Sequence, residues 1–153
     1  MHNDEHYLQR AVQLAAENVS GGGRPFGAVL VKHDQVLAEA ANTIHVSQDP
    51  TAHAELLVIR AASQQLGARL DDCVIYASGQ PCPMCLSAMY LSGVARVVFG
   101  ATNQQGAPFG LSTEAIYQQL AHPVCEQTLP VRHLAQPGIE QIYRDWQARH
   151  AGG

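Results

Sequence analysis

Hydrophobic residues recur at helical spacing near the start of the chain. Between residues 4 and 19 the apolar side chains fall three or four positions apart, which is the period of an amphipathic helix. The run Gly21-Gly22-Gly23 then interrupts the pattern, because glycine destabilises a helix interior. The sequence therefore predicts a first helix over residues 4–19.

Short apolar runs alternate with further helical patterns along the rest of the chain. Strands are predicted over residues 26–32, 35–42, 70–77 and 96–100, the first two forming a hairpin, with a short extended piece over 126–131. Helices are predicted over residues 50–67, 83–92, 112–120 and 138–149. Asp49 is the predicted N-cap of the helix that starts at Pro50, and residues 101–110 read as a pocket-shaping loop. This alternation predicts one α/β domain with helices on both faces of a mixed sheet.

Composition supports a single globular domain over residues 1–153. The chain has 153 residues, of which 46% are hydrophobic, enough for a core without disulfides. No apolar run approaches the roughly 20 residues of a membrane span, and the start of the chain is acidic and polar, unlike a signal peptide. We therefore expect a cytoplasmic protein with reduced thiols and no membrane partner.

The charge pattern argues against a nucleic-acid partner. The formal net charge is −4, Lys32 is the only lysine, and the arginines are scattered along the sequence. Binding along a phosphate backbone relies on clustered cations that release counterions. The sequence instead favours a small-molecule substrate.

Two short motifs predict a zinc site built from two helix starts. Cys82 and Cys85 stand three residues apart around Pro83, so both sulfurs can face one side of a helix whose N-terminal partial charge favours thiolates. His53 and Glu55 begin another predicted helix, and two residues so spaced share a site only if it lies over the N-terminal end. Alone, the cysteine pair could equally be a redox motif or half of a structural zinc site.

Together the two motifs favour a catalytic zinc site over a structural one. His53, Cys82 and Cys85 supply three ligands and leave a fourth position open for water, which is the pattern of a catalytic zinc. Glu55 is not needed as a ligand and is free to move protons. His-x-Glu followed by Pro-Cys-x-x-Cys is the signature of zinc-dependent base deaminases. The sequence predicts one zinc per chain and hydrolytic deamination.

Three segments carry a family resemblance: residues 25–29 (PFGAV), 49–55 (DPTAHAE) and 81–85 (PCPMC). They resemble the cytidine deaminase-like superfamily, and within it bacterial guanine deaminases and related nucleobase deaminases. The resemblance covers nearly the whole chain. It implies a three-layer α/β/α sandwich around a mixed five-stranded sheet and a homodimer or larger homo-oligomer. It also implies hydrolytic removal of an amine, as ammonia, from a free nucleobase or similar aminated heterocycle. The expected substrate is guanine, which would give xanthine.

The resemblance also implies residue roles. Glu55 would carry protons, Phe26 would pack on the base, Asn42 would hydrogen-bond a ring acceptor, and the backbone N–H of Ala54 would contact the base. Phe26 could equally pack in the core, since it begins a predicted strand. Glu114 could supply a substrate-binding carboxylate, or it could be a solvated residue of a helix's first turn.

The chain departs from similar guanine deaminases at several positions. Leu91 stands where they have Trp, Thr113 where they have Asp, and Gln80 where Glu is usual before the Pro-Cys pair. Residues 149–153 end in glycine, whereas the tails of those deaminases end in a pocket-closing Tyr. These differences bear on the choice of heterocycle.

Two alternative functions remain open at this point. A transfer-RNA adenosine-to-inosine deaminase shares these zinc motifs, but the low positive charge argues against it. A non-catalytic structural zinc module is the other alternative, although such a module has no use for the free carboxylate of Glu55. Cys73 and Cys125 are expected only to pack.

Overall fold

The computed structural model describes residues 3–150, and the chain divides into two compact units, residues 1–118 and 119–153. The tail residues 151–153 lie outside the described part. The strands are β1 (Gly27–Lys32), β2 (Gln35–Ala41), β3 (Cys73–Gly79) and β4 (Arg96–Ala101). The helices are α1 (Asp4–Ser20), α2 (Ile44–Ser47), α3 (Ala54–Leu66), α4 (Pro83–Ser92), α5 (Asn103–Gly106), α6 (Glu114–Leu120) and α7 (Ile139–His150), with 3₁₀ turns at Ala107–Phe109 and Val124–Glu126.

The sheet of the first unit is mixed, as the alternation predicts. Its strand order is β2-β1-β3-β4, with β1 antiparallel to both neighbours and β3 parallel to β4. The hairpin between β1 and β2 turns at His33 and Asp34, whose φ angles are 50° and 61°. Positive φ at both central residues gives the turn whose twist matches the flanking strands.

Alternation along β1 builds a core on each face of the sheet. Ala28 and Leu30 are fully buried in a cluster with residues of α3 and α4. Val29 and Val31 point to the other face, where they pack with residues of α1. Because successive strand residues face opposite sides, one six-residue strand serves both cores. The first unit therefore has the three predicted layers.

The predicted five-stranded sheet is wrong: the described residues form a sheet of four strands. The expected extended piece over residues 126–131 lies in the second unit and joins no strand. Its Thr128 N–H donates to the side chain of Gln119 at 2.8 Å, and Pro130 has no N–H to give to a ladder. Within residues 3–150, every helix is too short or too polar to cross a membrane.

Helix α3 begins four residues later than predicted. The Asp49 carboxylate accepts hydrogen bonds from the backbone N–H and the hydroxyl of Thr51, at 2.8 and 2.7 Å. This closes a turn around Pro50, so Asp49 caps the turn and His53 becomes the N-cap residue of α3. The short helices α2 and α5 were not predicted, since one turn of helix leaves no hydrophobic periodicity.

The substitution Leu30→Ala tests the hydrophobic core in which the sheet packs against α3 and α4. Leu30 is fully buried in the middle of β1, and truncating such a leucine costs about 2–5 kcal/mol of unfolding free energy, including the cavity left behind. Urea denaturation measures the loss. Val46→Ala is the control, because Val46 is 75% exposed on α2 and should change stability by less than about 0.5 kcal/mol. Equal stability of the two variants would contradict this assignment of the core.

Candidate functional site

Two helix N-termini meet at the carboxyl end of the sheet. α3 begins directly after His53, and α4 begins directly after Cys82; both N-cap residues have extended backbones. Pro83 occupies the first helical position of α4, where its missing N–H costs nothing. His53 and Glu55 therefore share a site at the N-terminal end of α3, as their spacing predicts.

Three side chains at this junction have the geometry of a zinc site. Nδ1 of His53 lies 3.5 Å from the sulfur of Cys82 and 3.5 Å from that of Cys85. Tetrahedral zinc with ordinary Zn–N and Zn–S bond lengths separates such atoms by roughly 3.6 Å. All three ligand atoms lie within 4.8 Å of one another, and no other group of this kind occurs among the described residues. The donor set fits zinc, and three protein ligands leave a tetrahedral position open.

Electrostatics at the junction favour a bound cation. Hydrogen bonds from the Cys85 thiol and from His53 to the Cys82 sulfur lower the pKa of Cys82 well below its usual range. The backbone N–H of Cys85 also donates to that sulfur, at 3.5 Å. A thiolate held in this way at a helix N-terminus is the form that binds metal.

Glu55 is a buried carboxylate directly beside these ligand atoms. The residue is only 7% exposed, and burial raises the pKa of Glu55 to about 7. A carboxyl group with such a pKa can both accept and release a proton near neutral pH. Glu55 is thus placed to move protons next to the open ligand position.

A cavity of about 170 Å³ opens onto this cluster. Its described lining residues are Arg24, Phe26, Asn42, His53, Glu55, Gln80, Cys82 and Gly110 to Thr113. Glu55 and Cys82 are buried at its floor, whereas Arg24 is exposed at its mouth. A space of this size suits a single flat heterocycle, with the polar chemistry at the inner end.

Asn42 presents a hydrogen-bond donor to the cavity. The residue is 2% exposed, and its side-chain oxygen accepts the backbone N–H of Ile44 at 3.0 Å. The amide NH₂ has no hydrogen-bond partner among residues 3–150 and remains free for a ring acceptor. This orientation agrees with the role that the family resemblance implies for Asn42.

Phe26 lies at the cavity wall and also packs on the sheet end. Its ring touches Gly79 so closely that a Cβ there would come within 3.2 Å of it. The ring is half-buried and lines the cavity. Phe26 therefore belongs to the pocket and to the packing of β3 together, and the two predicted roles do not exclude each other.

Two predicted substrate contacts lie away from the cavity lining. Ala54 is fully buried as the first residue of α3, so only its backbone could reach a ligand. Glu114 is exposed at the start of α6 and does not line the cavity. Thr113, just before it, does line the cavity, and its hydroxyl is buried without a described hydrogen-bond partner. The roles of Ala54 and Glu114 stay predictions.

Gln80 was noted only as a departure from similar guanine deaminases, and three further lining residues were missed by sequence reasoning. Gln80 lines the cavity and accepts the backbone N–H of Asn103 at 2.9 Å, which fixes the segment after β4 near the pocket. Arg24, Leu111 and Ser112 carry no motif of their own. The predicted pocket-shaping role of residues 101–110 pointed to this loop, but only Gly110 of that range lines the cavity.

The remaining cysteines lie outside the site. Cys73 is fully buried in β3 and packs in the core, as predicted. Cys125 is exposed, so the expectation that it packs is wrong; the 3₁₀ turn that contains it has no buried residue. The four cysteines thus divide into two site residues and two others.

Comparison with known proteins also points to a zinc-binding deaminase. The family model of the cytidine and deoxycytidylate deaminase zinc-binding region matches residues 1–101. Guanine deaminase of Bacillus subtilis (strain 168) is 46% identical over 130 residues, which cover 84% of this chain and 83% of that protein. The tRNA-specific adenosine deaminase of the same strain is 41% identical over 111 residues, covering 72% and 69%. The X-ray structure of guanine deaminase from Bacillus subtilis matches with a TM-score of 0.89 at 40% identity, covering 97% of this chain and 95% of that one.

Proposed function

This chain belongs to the cytidine and deoxycytidylate deaminase family, and on that premise we propose that it is a zinc-dependent aminohydrolase that converts free guanine to xanthine and ammonia. The observation that carries the proposal is the cluster of His53, Cys82 and Cys85 with the buried carboxylate of Glu55 beside it, at the floor of a cavity sized for one base. Similarity to a guanine deaminase over most of both chains supports the choice of base.

We propose that His53, Cys82 and Cys85 hold one zinc ion per chain. Bound zinc would act as a Lewis acid and supply a water of near-neutral pKa. Glu55 would take a proton from the attacking water and return protons to a ring nitrogen and to the departing amine. In the balance of the reaction a C–O bond forms at carbon 2 of guanine, the exocyclic C–N bond breaks, and ammonia leaves.

The remaining parts of the proposal concern how the base is held. Phe26 would pack on the ring, the amide NH₂ of Asn42 would donate to a ring acceptor, and the backbone N–H of Ala54 would contact the base. Glu114 would reach the substrate only if the segment before α6 moves, because its side chain is exposed in this structure.

We further propose that residues 1–153 act as a single deaminase domain in a homodimer. A cytoplasmic location suits the site, because reducing conditions keep the thiols of Cys82 and Cys85 available for metal. Size-exclusion chromatography with light scattering measures the oligomeric state directly. A monomer of full activity would remove the dimer from the proposal without affecting the chemistry.

A substrate panel tests the proposed function. Zinc-loaded protein is incubated with guanine, adenine, cytosine, their nucleosides, triazines and a transfer-RNA anticodon stem-loop, and ammonia release is measured for each. We expect turnover of guanine with the highest kcat/KM and no salt-sensitive binding of the RNA, because the net charge is −4. Inosine formation in the stem-loop with no turnover of free bases would instead establish the transfer-RNA function.

A further inference from the structure

An anchored arginine stands at the mouth of the cavity. The backbone carbonyl of Arg24 accepts hydrogen bonds from the side-chain amide of Asn18 at 2.7 Å and from the N–H of Phe26 at 2.8 Å. The same Asn18 amide donates to the carbonyl of Asn42 at 2.9 Å. One α1 side chain therefore fixes the segment that carries Arg24 to the strand end that carries Asn42.

The glycine run before Arg24 makes this anchoring possible. A Cβ at Gly23 would lie 2.5 Å from the amide nitrogen of Asn18 and 2.5 Å from Cε1 of His45. Any larger residue there would push Asn18 or His45 aside. The run at 21–23 is thus more than a helix stop, because Gly23 lets the chain pass closely enough for Asn18 to hold it.

The guanidinium of Arg24 is free to bind a ligand. The side chain is exposed, lines the cavity, and makes no hydrogen bond or ion pair with any residue of the described range 3–150. It lies close enough to His53 for their charges to interact. A guanidinium offers five N–H donors in a planar fork and no acceptor. A ligand with two neighbouring acceptor atoms therefore matches this fork.

Resting on the proposed function, we propose that Arg24 determines specificity by donating to O6 and N7 of guanine. The exocyclic amine must face Glu55 and the ligand cluster at the floor for deamination. Carbon 5 is the ring corner opposite carbon 2, so N7 then points away from the floor, with O6 beside it. Arginine pairs with these same two acceptors when proteins read guanine in nucleic acids. Adenine places an amine beside N7 and would leave part of the fork unmatched.

A cycle of one variant and one substrate change tests this contact. Arg24→Met keeps an unbranched, flexible stem and removes the guanidinium fork, and 7-deazaguanine replaces N7 by a C–H group. We expect Arg24→Met to lower kcat/KM for guanine by roughly 5- to 150-fold at unchanged zinc content. The penalty for 7-deazaguanine relative to guanine should be present in the wild type and much smaller in the variant. Arg69→Met is the control, since Arg69 is an exposed arginine that does not line the cavity.

The outcomes separate this inference from the proposed function. A wild-type protein that releases no ammonia from guanine would overturn both. If the wild type deaminates guanine but Arg24→Met keeps the full penalty for 7-deazaguanine, only the contact with N7 and O6 is overturned. A loss confined to guanosine monophosphate, with guanine unaffected, would assign the guanidinium to a phosphate and likewise overturn it.

Discussion

Glu55→Gln is expected to retain zinc and lower kcat for guanine by about 10²- to 10⁴-fold, the range that one positioned acid–base group supplies. Glutamine keeps the volume of the side chain but has no proton to exchange near neutral pH. Glu55 is buried next to the ligand cluster and lines the cavity, so a bulk water cannot easily replace it. Removing a carboxylate from this buried position should not unfold the protein, because burial disfavours its charged form.

Three measurements on the purified Glu55→Gln protein check this result: zinc content, ammonia release and thermal unfolding. Glu5→Gln is the matched control, because Glu5 also stands in the first turn of a helix but is exposed on α1. Full zinc content with kcat within about tenfold of the wild type would show that another group moves the protons. Loss of zinc would show instead that Glu55 supports the ligands themselves.

The parts of the site that depend on local sequence could be predicted. Pro83 defines the start of α4, and the spacing of Cys82 and Cys85 places both sulfurs at its N-terminal end, so the geometry of the cysteine pair depends on one helix alone. His53 and Glu55 could be assigned to the N-terminal end of α3 for the same reason. The four strands and the layers could be predicted from the alternation of strand and helix patterns, because those patterns do not depend on the conformation of the loops.

The remainder depends on contacts that neighbouring residues do not encode. Asp49 and Pro50 carry the chemistry of a helix start, but Thr51 takes up the carboxylate and delays α3 to Ala54. Arg24 reaches the cavity through Asn18, and Thr113 reaches it from beyond β4. The prediction of a fifth strand was wrong because a resemblance to a family does not specify which segments pair in this chain. Packing between distant segments decides such features, and no local pattern records it.

Cys85→Ser is expected to lose zinc and, with it, all measurable guanine deaminase activity. A serine hydroxyl is not ionised at neutral pH and is a poor substitute for a thiolate ligand. Cys85 is fully buried, so no water-exposed side chain can move in to replace its sulfur. Two remaining ligands, His53 and Cys82, would hold zinc far too weakly to survive dialysis against a mild chelator.

Zinc content and thermal unfolding after such dialysis provide the measurement. A ligand that binds only the folded state stabilises it by about 4 kcal/mol at a thousand times its Kd, so adding zinc should raise the Tm of the wild type. The same addition should leave the Tm of Cys85→Ser unchanged. Cys125→Ser should behave like the wild type in both measurements, because Cys125 is exposed in the second unit and far from any metal ligand in the sequence.

Cys73→Ala separates loss of a ligand from loss of core packing. Cys73 and Cys85 are both fully buried in the same hydrophobic cluster, so both substitutions disturb the core. If zinc were lost merely because the core loosens, Cys73→Ala should lose it as well. We expect Cys73→Ala to unfold at a lower temperature yet keep its zinc and its response to added metal. Equal zinc loss in the two variants would contradict the ligand role of Cys85 and make the cysteine pair a packing feature.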